Sequence, residues 1–450
     1  MNASVTTARG LRGEIVVPGD KSICHRTVML GALAGGRSRA RGFNASADTL
    51  ATVNCLRAMG CVIDINENGE IEVGGVGTLG LREPEDVLNA ANSGTTARLL
   101  SGILSGQPFL SVLTGDSSLR RRPMGRVVEP LSAMGASIWG RDRARYLPLA
   151  IQGNPLRPVS LQLPAASAQV KSAILLAALF AEGETTVVEP AATRDHTERM
   201  LAAMGARVTV GPHPSPLPEG KGVRETGPVD EMRANEIRVF GPAALEPFDL
   251  TVPGDFSSAA FFLAAAALVP DSDLAVLNVG LNPTRTGFLD ILREMGARIE
   301  VFDERVAGGE PVGGVRCRTS DLKGVSIDGE MVARAIDELP ALAVLATQAE
   351  GETIVRGARE LRVKESDRIS TVVTELSRLG ASVEELPDGF VVRGPSRLRG
   401  AFCSTYGDHR LAMSLAVAGL VAAGETQIES AECVVVSFPG FFDKLARIAG

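Results

Sequence analysis

One short phrase recurs along this chain and limits what it can fold into. The form L-x-x-M-G-A, followed by a Val/Ile-rich run, occurs at Leu131–Ala136, Leu201–Ala206 and Leu292–Ala297, and at Leu56–Gly60 as L-R-A-M-G before C-V-I-D-I. It returns more loosely at Leu376–Ala381 and in truncated form at Leu445–Gly450. Each glycine stands where a helix needs a left-handed cap, and the apolar run after it reads as the next strand. Ahead of each phrase lies an Ala/Leu helix that stops at a turn: Lys21–Gly35, Asn92–Gly106, Ser167–Gly183, Ser257–Pro270, Asp337–Gly351 and Asp408–Gly424. The spacing predicts an α/β chain of six strand-helix-strand-helix-strand units. At roughly 70–90 residues each, such units are too large for the rungs of a solenoid and should cluster into globular domains.

The natural division is three units and three. Gly241–Pro253 reads as the crossing between the two globes, and the Pro- and Gly-rich Gly211–Pro228 reads as an exposed loop, without a role in chemistry, between strands Arg207–Val210 and Glu236–Phe240. Periodicity alone leaves open which globe holds the first strand, Gly13–Val17. With 450 residues, 45% of them hydrophobic, the chain can bury large cores. Aromatic residues at 4% and a net charge of −7 argue against a nucleic-acid partner, which wants stacking platforms and a basic balance. The Ala-rich run Ser257–Val269 is too short to span a bilayer, and the N-terminus lacks the apolar core of a signal peptide, so a cytoplasmic protein is expected. Cys24, Cys55, Cys61, Cys317, Cys403 and Cys433 form no C-x-x-C pair and no zinc-type grouping with histidine, and read as buried thiols without metal or redox duty.

Chemistry concentrates where the six apolar helices begin. Those starts read D-K-S-I-C-H-R (Asp20–Arg26), N-S-G-T-T-A-R (Asn92–Arg98), S-A-Q-V-K (Ser167–Lys171), G-D-F-S-S (Gly254–Ser258), I-D-E-L-P (Ile336–Pro340) and G-D-H-R (Gly407–Arg410). Capping accounts for Ser, Asn and Asp at such places. It does not account for Glu338 followed by Pro340, nor for Lys21, Arg26 and Arg410, since cations beside the positive end of a helix dipole want a bound anion to compensate them. The helix starts are therefore expected to face one common cleft that takes anions such as phosphates. Two further basic stretches suit it. Leu119–Arg126 (L-R-R-R-P-M-G-R) is a dense basic turn, and in Val363–Arg368 (V-K-E-S-D-R) the spacing puts Lys364, Glu365 and Arg368 on one helical face. Thr193–His196 (T-R-D-H) is a weaker candidate, and such a stretch is more often a capped helix start.

These motifs, in this order, carry a resemblance. K-S-x-x-H-R, N-S-G-T-T, L-T-G-D with R-R-P-M-G-R, S-A-Q-V-K-S-A, T-R-D-H-T-E, N-P-T-R-T-G, L-R-V-K-E-S-D-R and D-H-R-x-A-M-S together resemble the 5-enolpyruvylshikimate-3-phosphate synthases, and most closely their class II branch. The resemblance runs from about residue 10 to the C-terminus. It implies a fold of two inverse α/β barrels of three repeats each, residues 20–243 forming one and residues 1–19 with 244–450 the other, with the active site in the interdomain cleft. It implies transfer of the enolpyruvyl group of phosphoenolpyruvate to shikimate 3-phosphate, without metal or organic cofactor. Lys21, Ser22, Arg26, Ser167, Ala168 through its backbone, Gln169, Arg194, Asp337 and Lys364 would bind shikimate 3-phosphate. Lys21, Asn92, Gly94, Arg122, Gln169, Arg368, His409 and Arg410 would hold phosphoenolpyruvate. Asp337, Glu365 and Lys21 resemble the catalytic groups, Asp337 as leading base for the 5-hydroxyl and Glu365 as acid/base at C3.

One departure stands out: V-V-S-F-P places Ser437 where many relatives have lysine, which leaves one phosphoenolpyruvate contact in question. Gly94 keeps the glycine that glyphosate-tolerant relatives replace with alanine, so glyphosate is an expected inhibitor. Two rivals fit many of the same motifs. A UDP-N-acetylglucosamine enolpyruvyl transferase would use a loop nucleophile, usually cysteine, near Arg120–Pro123, where this chain has none. A non-catalytic phosphometabolite binder would have no need of both Asp337 and Glu365. A monomer is the simplest expectation for a self-contained chain.

Overall fold

The computed structural model describes residues 1–211 and 235–449. The chain divides into two units, one of residues 19–252 with 306–310, the other of residues 1–18, 253–305 and 311–450. The bulk of the Pro- and Gly-rich insert, residues 212–228, lies outside the described residues; strands Val208–Val210 and Glu236–Gly241, on either side of it, pair antiparallel.

The recurring phrase is a helix-ending motif. Gly60, Gly135, Gly205, Gly296 and Gly380 all take positive φ, between 88° and 112°. In each case the amide of the following residue reaches back to the carbonyl of the motif leucine, as in Ala206 N to Leu201 O (3.0 Å) and Ala381 N to Leu376 O (2.9 Å). The glycine amide bonds one residue later, as in Gly205 N to Ala202 O (3.2 Å). This pair of bonds is the Schellman arrangement, and it explains why leucine, glycine and the following residue keep fixed spacing.

Among the described residues, five four-stranded sheets and one three-stranded sheet follow from the six units. A complete unit runs strand, helix, strand, helix and then two strands: Leu88–Asn89, helix Gly94–Ser105, Leu110–Thr114, helix Gly125–Ala133, Ser137–Gly140 and Tyr146–Gln152. The first two strands pair parallel, and the last two close the sheet as an antiparallel hairpin. The final strand is an addition to the five-element unit read from sequence. It escapes the repeat phrase because the turn before it varies from unit to unit.

Two strands are contributed from far along the chain. Arg12–Val16 pairs parallel with Asp273–Gly280, which places the first strand with residues 253–305 and 311–450. Asp249–Thr251 pairs parallel with Arg37–Arg41. The stretch read as a plain crossing thus contains a strand, and residues 244–252 fall with residues 19–243. The truncated sixth unit is completed by the chain's beginning, Ala3–Thr6 pairing antiparallel with Glu425–Glu429.

Within each unit the Ala/Leu helices are the core. Helix Phe256–Leu268 is buried at every position from Phe256 to Ala267, as is His409–Gly419 throughout. Helices buried all round need small residues where they touch. A Cβ on Gly102 would lie 2.2 Å from the carbonyl oxygen of Ala173, so helices Gly94–Ser105 and Ala168–Ala178 cannot pack as they do without that glycine. Among the described residues, no helix is long and apolar enough to cross a membrane.

Candidate active site

In the unit of residues 19–252, three helix starts are tied together. Asp20, Ser93 and Ser167 cap them, accepting from Ile23 N (2.9 Å), Thr96 N (3.1 Å) and Val170 N (3.5 Å). First-turn side chains then link one helix to the next. Arg98 donates to Gln169 at 2.6 Å, Gln169 donates to Thr95 at 3.1 Å, and His25, Thr52 and Thr96 form a chain of 2.7 Å contacts. Burial, reinforced by Lys21 and Arg26, holds the His25 imidazole neutral, well below its usual range.

Lys21 and Arg26 turn to different partners. The Lys21 ammonium pairs with Asp48 at 2.9 Å. Arg26 is buried and donates from Nε to Thr197 (2.7 Å), from Nη2 to Ser172 (2.7 Å) and from Nη1 to the Ser22 carbonyl (2.9 Å). Burial pulls its guanidinium down to about 10, Glu198 and Asp20 oppose the shift, and nearby Arg194 adds to it. Arg26 remains a cation at neutral pH, with a second guanidinium close enough to repel it. That is a setting an anion relieves.

From the basic turn, Arg122 donates to both the carbonyl (3.3 Å) and the side-chain oxygen (2.7 Å) of Asn92, whose amide donates to Asp116 (2.7 Å). A Cβ on Gly94 would sit 2.7 Å from Arg98 Nη1 and 3.6 Å from Arg122 Nη1. The missing methyl lets two guanidiniums crowd one helix start.

In the other unit the remaining helix starts gather around Asp337. Four cations approach its carboxylate: Arg368 at 3.3 Å, Arg410 at 3.7 Å, Lys364 at 3.8 Å and Arg285 at 3.9 Å. Arg410 also donates to the Asp337 carbonyl at 3.1 Å. Arg285 is held by Asp255 (3.2 Å) and Ser257 (2.7 Å), and the Ser257 hydroxyl donates in turn to fully buried Glu338. Arg368, 1% exposed, spans Asp408 (2.7 Å), Glu365 (2.6 Å) and Asp337. These carboxylates outweigh burial and raise the Arg368 guanidinium further; in return Arg368 outweighs burial and lowers Asp408. His409, next to Arg410 in the chain, and Ser437, which ends the turn Ala431–Val436, are both buried.

The stretch Val363–Arg368 is not one helical face. A 3-10 turn, Arg359–Val363, ends on its first residue, and helix Arg368–Arg378 begins only on its last, where Asp367 caps by accepting from Ser370 N at 3.2 Å. Glu365 still meets Arg368, but across a turn and not along a helix. In Thr193–His196 no side chain caps the helix His196–Ala203; Asp195 instead pairs with Arg199 at 2.8 Å.

Three cations in these clusters were not singled out from sequence. Arg98 and Lys171 sit one turn into their helices, the same signal that drew attention to Arg26. Arg285, in N-P-T-R-T-G, is far in sequence from Asp337 and only the fold brings them together. Among the described residues, no group of three or more His, Cys, Asp or Glu is arranged to hold a metal ion. Burial pushes the thiols of Cys55, Cys317 and Cys403 up to about 12 and those of Cys61 and Cys433 up to about 11, which leaves them poor nucleophiles at neutral pH.

Comparison with known proteins agrees across the full length. The family model of EPSP synthase (3-phosphoshikimate 1-carboxyvinyltransferase) matches residues 5–223 and 224–445. The 3-phosphoshikimate 1-carboxyvinyltransferase of Desulforamulus reducens is 51% identical over 448 residues, covering 100% of this chain and 99% of that one. That of Desulforudis audaxviator is 54% identical over 441 residues, 98% of each chain. Among solved structures, EPSP synthase from Acinetobacter baumannii superposes with a TM-score of 0.85 at 43% identity, covering 100% of this chain and 98% of that one. The enolpyruvyl transferase NikO from Streptomyces tendae, at 18% identity and a TM-score of 0.75, covering 99% and 96%, shares the fold.

Proposed function

The chain belongs to the EPSP synthase family, and from that premise we propose how its residues divide the transfer of the enolpyruvyl group from phosphoenolpyruvate to the 5-hydroxyl of shikimate 3-phosphate. The reaction gives 5-enolpyruvylshikimate 3-phosphate and phosphate. The observation that carries the assignment is Asp337 at the meeting point of Arg285, Lys364, Arg368 and Arg410. A carboxylate among four cations is a base whose partners are also the natural grips for anionic substrates, so substrate phosphate and carboxylate compete with Asp337 for them.

Asp337 takes the proton of the 5-hydroxyl as its oxygen attacks C2 of phosphoenolpyruvate, and Glu365 delivers a proton to C3. The tetrahedral adduct then loses phosphate as C3 returns its proton. Lys21 stabilises the developing charge. Lys21, Ser22, Arg26, Ser167, Ala168, Gln169, Arg194, Asp337 and Lys364 bind shikimate 3-phosphate; Lys21, Asn92, Gly94, Arg122, Gln169, Arg368, His409 and Arg410 bind phosphoenolpyruvate. Arg122, oriented by two bonds to Asn92, supports this reading because a pre-aimed guanidinium loses little freedom on meeting a carboxylate or phosphate. We place the protein in the cytoplasm, where its free cysteines stay reduced, and as a monomer, since one chain supplies every residue named.

Phosphate release is the direct test. Mixing the protein with phosphoenolpyruvate and shikimate 3-phosphate should release phosphate, whereas UDP-N-acetylglucosamine in place of the latter should release none; the reverse pattern would assign the chain to the other enolpyruvyl transfer.

Glyphosate is the inhibitor this site should take, competing with phosphoenolpyruvate. In Gly94→Ala the new methyl must push Arg98 Nη1 away from Gln169 and narrows the space beside Arg122. The half-inhibitory concentration should rise by about 10–200-fold, the range one methyl group can discriminate. Equal sensitivity of the two proteins in inhibitor titrations would remove Gly94 from the site.

A further inference from the structure

We infer that Lys171 is a positioning residue for the reaction: its buried ammonium fixes the loop that presents Arg194 to shikimate 3-phosphate. The inference rests on the reading that Arg194 contacts that substrate.

An ammonium has three donors, and Lys171 uses all of them. It bonds Glu189 at 2.7 Å, Glu198 at 2.8 Å and the carbonyl of Thr193 at 3.2 Å. Glu189 follows strand Gly183–Val188, and Glu198 lies in the first turn of helix His196–Ala203. The ammonium therefore grips the chain on both sides of Arg194 and, through Thr193, immediately before it. Glu189 adds a second hold, accepting from the Thr193 hydroxyl and, at 3.4 Å, from its amide. A further clasp sits one residue along each element. Ser172 and Thr197 are 2.8 Å apart and both accept from Arg26.

Stability alone does not explain the triad. Lys171, Glu189 and Glu198 are 1%, 4% and 3% exposed, so two carboxylates share one ammonium away from water. Buried ion groups of this kind gain little over apolar side chains of similar volume. Glu198 Oε2 is buried without a hydrogen-bond partner among the described residues, a cost the fold accepts. What the triad supplies that leucine would not is direction. It sets the course of residues 189–198 and hence where the Arg194 guanidinium points.

The test compares steady-state kinetics of Lys171→Met, Glu189→Gln and Arg194→Ala with a Lys171→Met/Arg194→Ala double variant. Lys171→Met should raise KM for shikimate 3-phosphate by about tenfold or more, given that misplacing a group by about 1 Å can cost ~10²-fold. Its kcat and its KM for phosphoenolpyruvate should stay within about threefold of wild type. Glu189→Gln keeps the shape and a one-to-one Lys171–Glu198 pair, so it folds even where Lys171→Met does not, and should show the same substrate-selective rise at smaller size. Arg194→Ala should raise KM for shikimate 3-phosphate too, and the double variant should be little worse than it. A loss of active protein with both KM values unchanged, or equal rises for both substrates, would make the triad merely structural and overturn the inference. Unchanged KM in Arg194→Ala would instead overturn the reading of Arg194 beneath it.

Discussion

Replacing Asp337 with asparagine should lower kcat by about 10²–10⁴-fold, the usual contribution of a positioned general base. The amide matches the carboxylate in shape and can still accept from Arg368 and Lys364, so the cluster should hold together. What it cannot do is take the 5-hydroxyl proton. The Michaelis constants provide the discriminating sign. Asp337 competes with anionic substrates for Arg285, Lys364, Arg368 and Arg410, so removing its charge should leave KM for phosphoenolpyruvate unchanged or lower. A large fall in kcat with KM steady or reduced identifies an interaction made in the transition state. A fall of less than about tenfold would put the base elsewhere, and Glu365 would be the first residue to examine. A pure binder, by contrast, would show no turnover to lose.

Much of this was open to reading because one helix-ending motif repeats. A Schellman cap demands glycine at one position and ties the residue after it by a hydrogen bond to a leucine five residues earlier, so the sequence carries its mark five times over. Helix starts were legible for a similar reason, since caps and dipole-opposed cations use few residue types. Pairing between distant segments left no such mark. Asp249–Thr251 is only three residues long in a Pro-rich crossing, and nothing local says that its partner is Arg37–Arg41. Arg285 reaches Asp337 only through the fold. The misread face at Lys364–Arg368 has a different origin. Helical spacing was assumed where Asp367 prefers to cap, and the cap won. Lys171 was hidden by its own burial, because a lysine one turn into an apolar helix reads as surface until two glutamates are seen to meet it.

Arg368→Met should cost the unit that contains it about 3–5 kcal/mol at pH 7, the penalty for leaving a buried charge without its partner. Methionine fills the volume of the arginine stem, so the loss is electrostatic. Asp408 is fully buried and receives 2.7 Å and 3.2 Å bonds from Arg368. In the wild type, burial and Glu365 push Asp408 up but Arg368 prevails and holds it below the usual carboxylate range. That contribution is present above the unfolded value, about 3.9, and is lost only as pH falls through the lower folded value. In the variant the sign reverses. Only His409 still pulls Asp408 down against burial and Glu365, so the folded carboxyl holds its proton more tightly than the unfolded one, and stability rises as pH falls from 7 toward 5. The gap between wild type and variant should therefore narrow across that interval. Hydrogen exchange of the His409–Gly419 amides at both pH values, corrected for intrinsic rates, reads the gap in the relevant unit. A gap that stays constant from pH 7 to pH 5 would mean that Asp408 finds another cation when Arg368 is gone, and Arg368 would then be a substrate ligand without a structural duty.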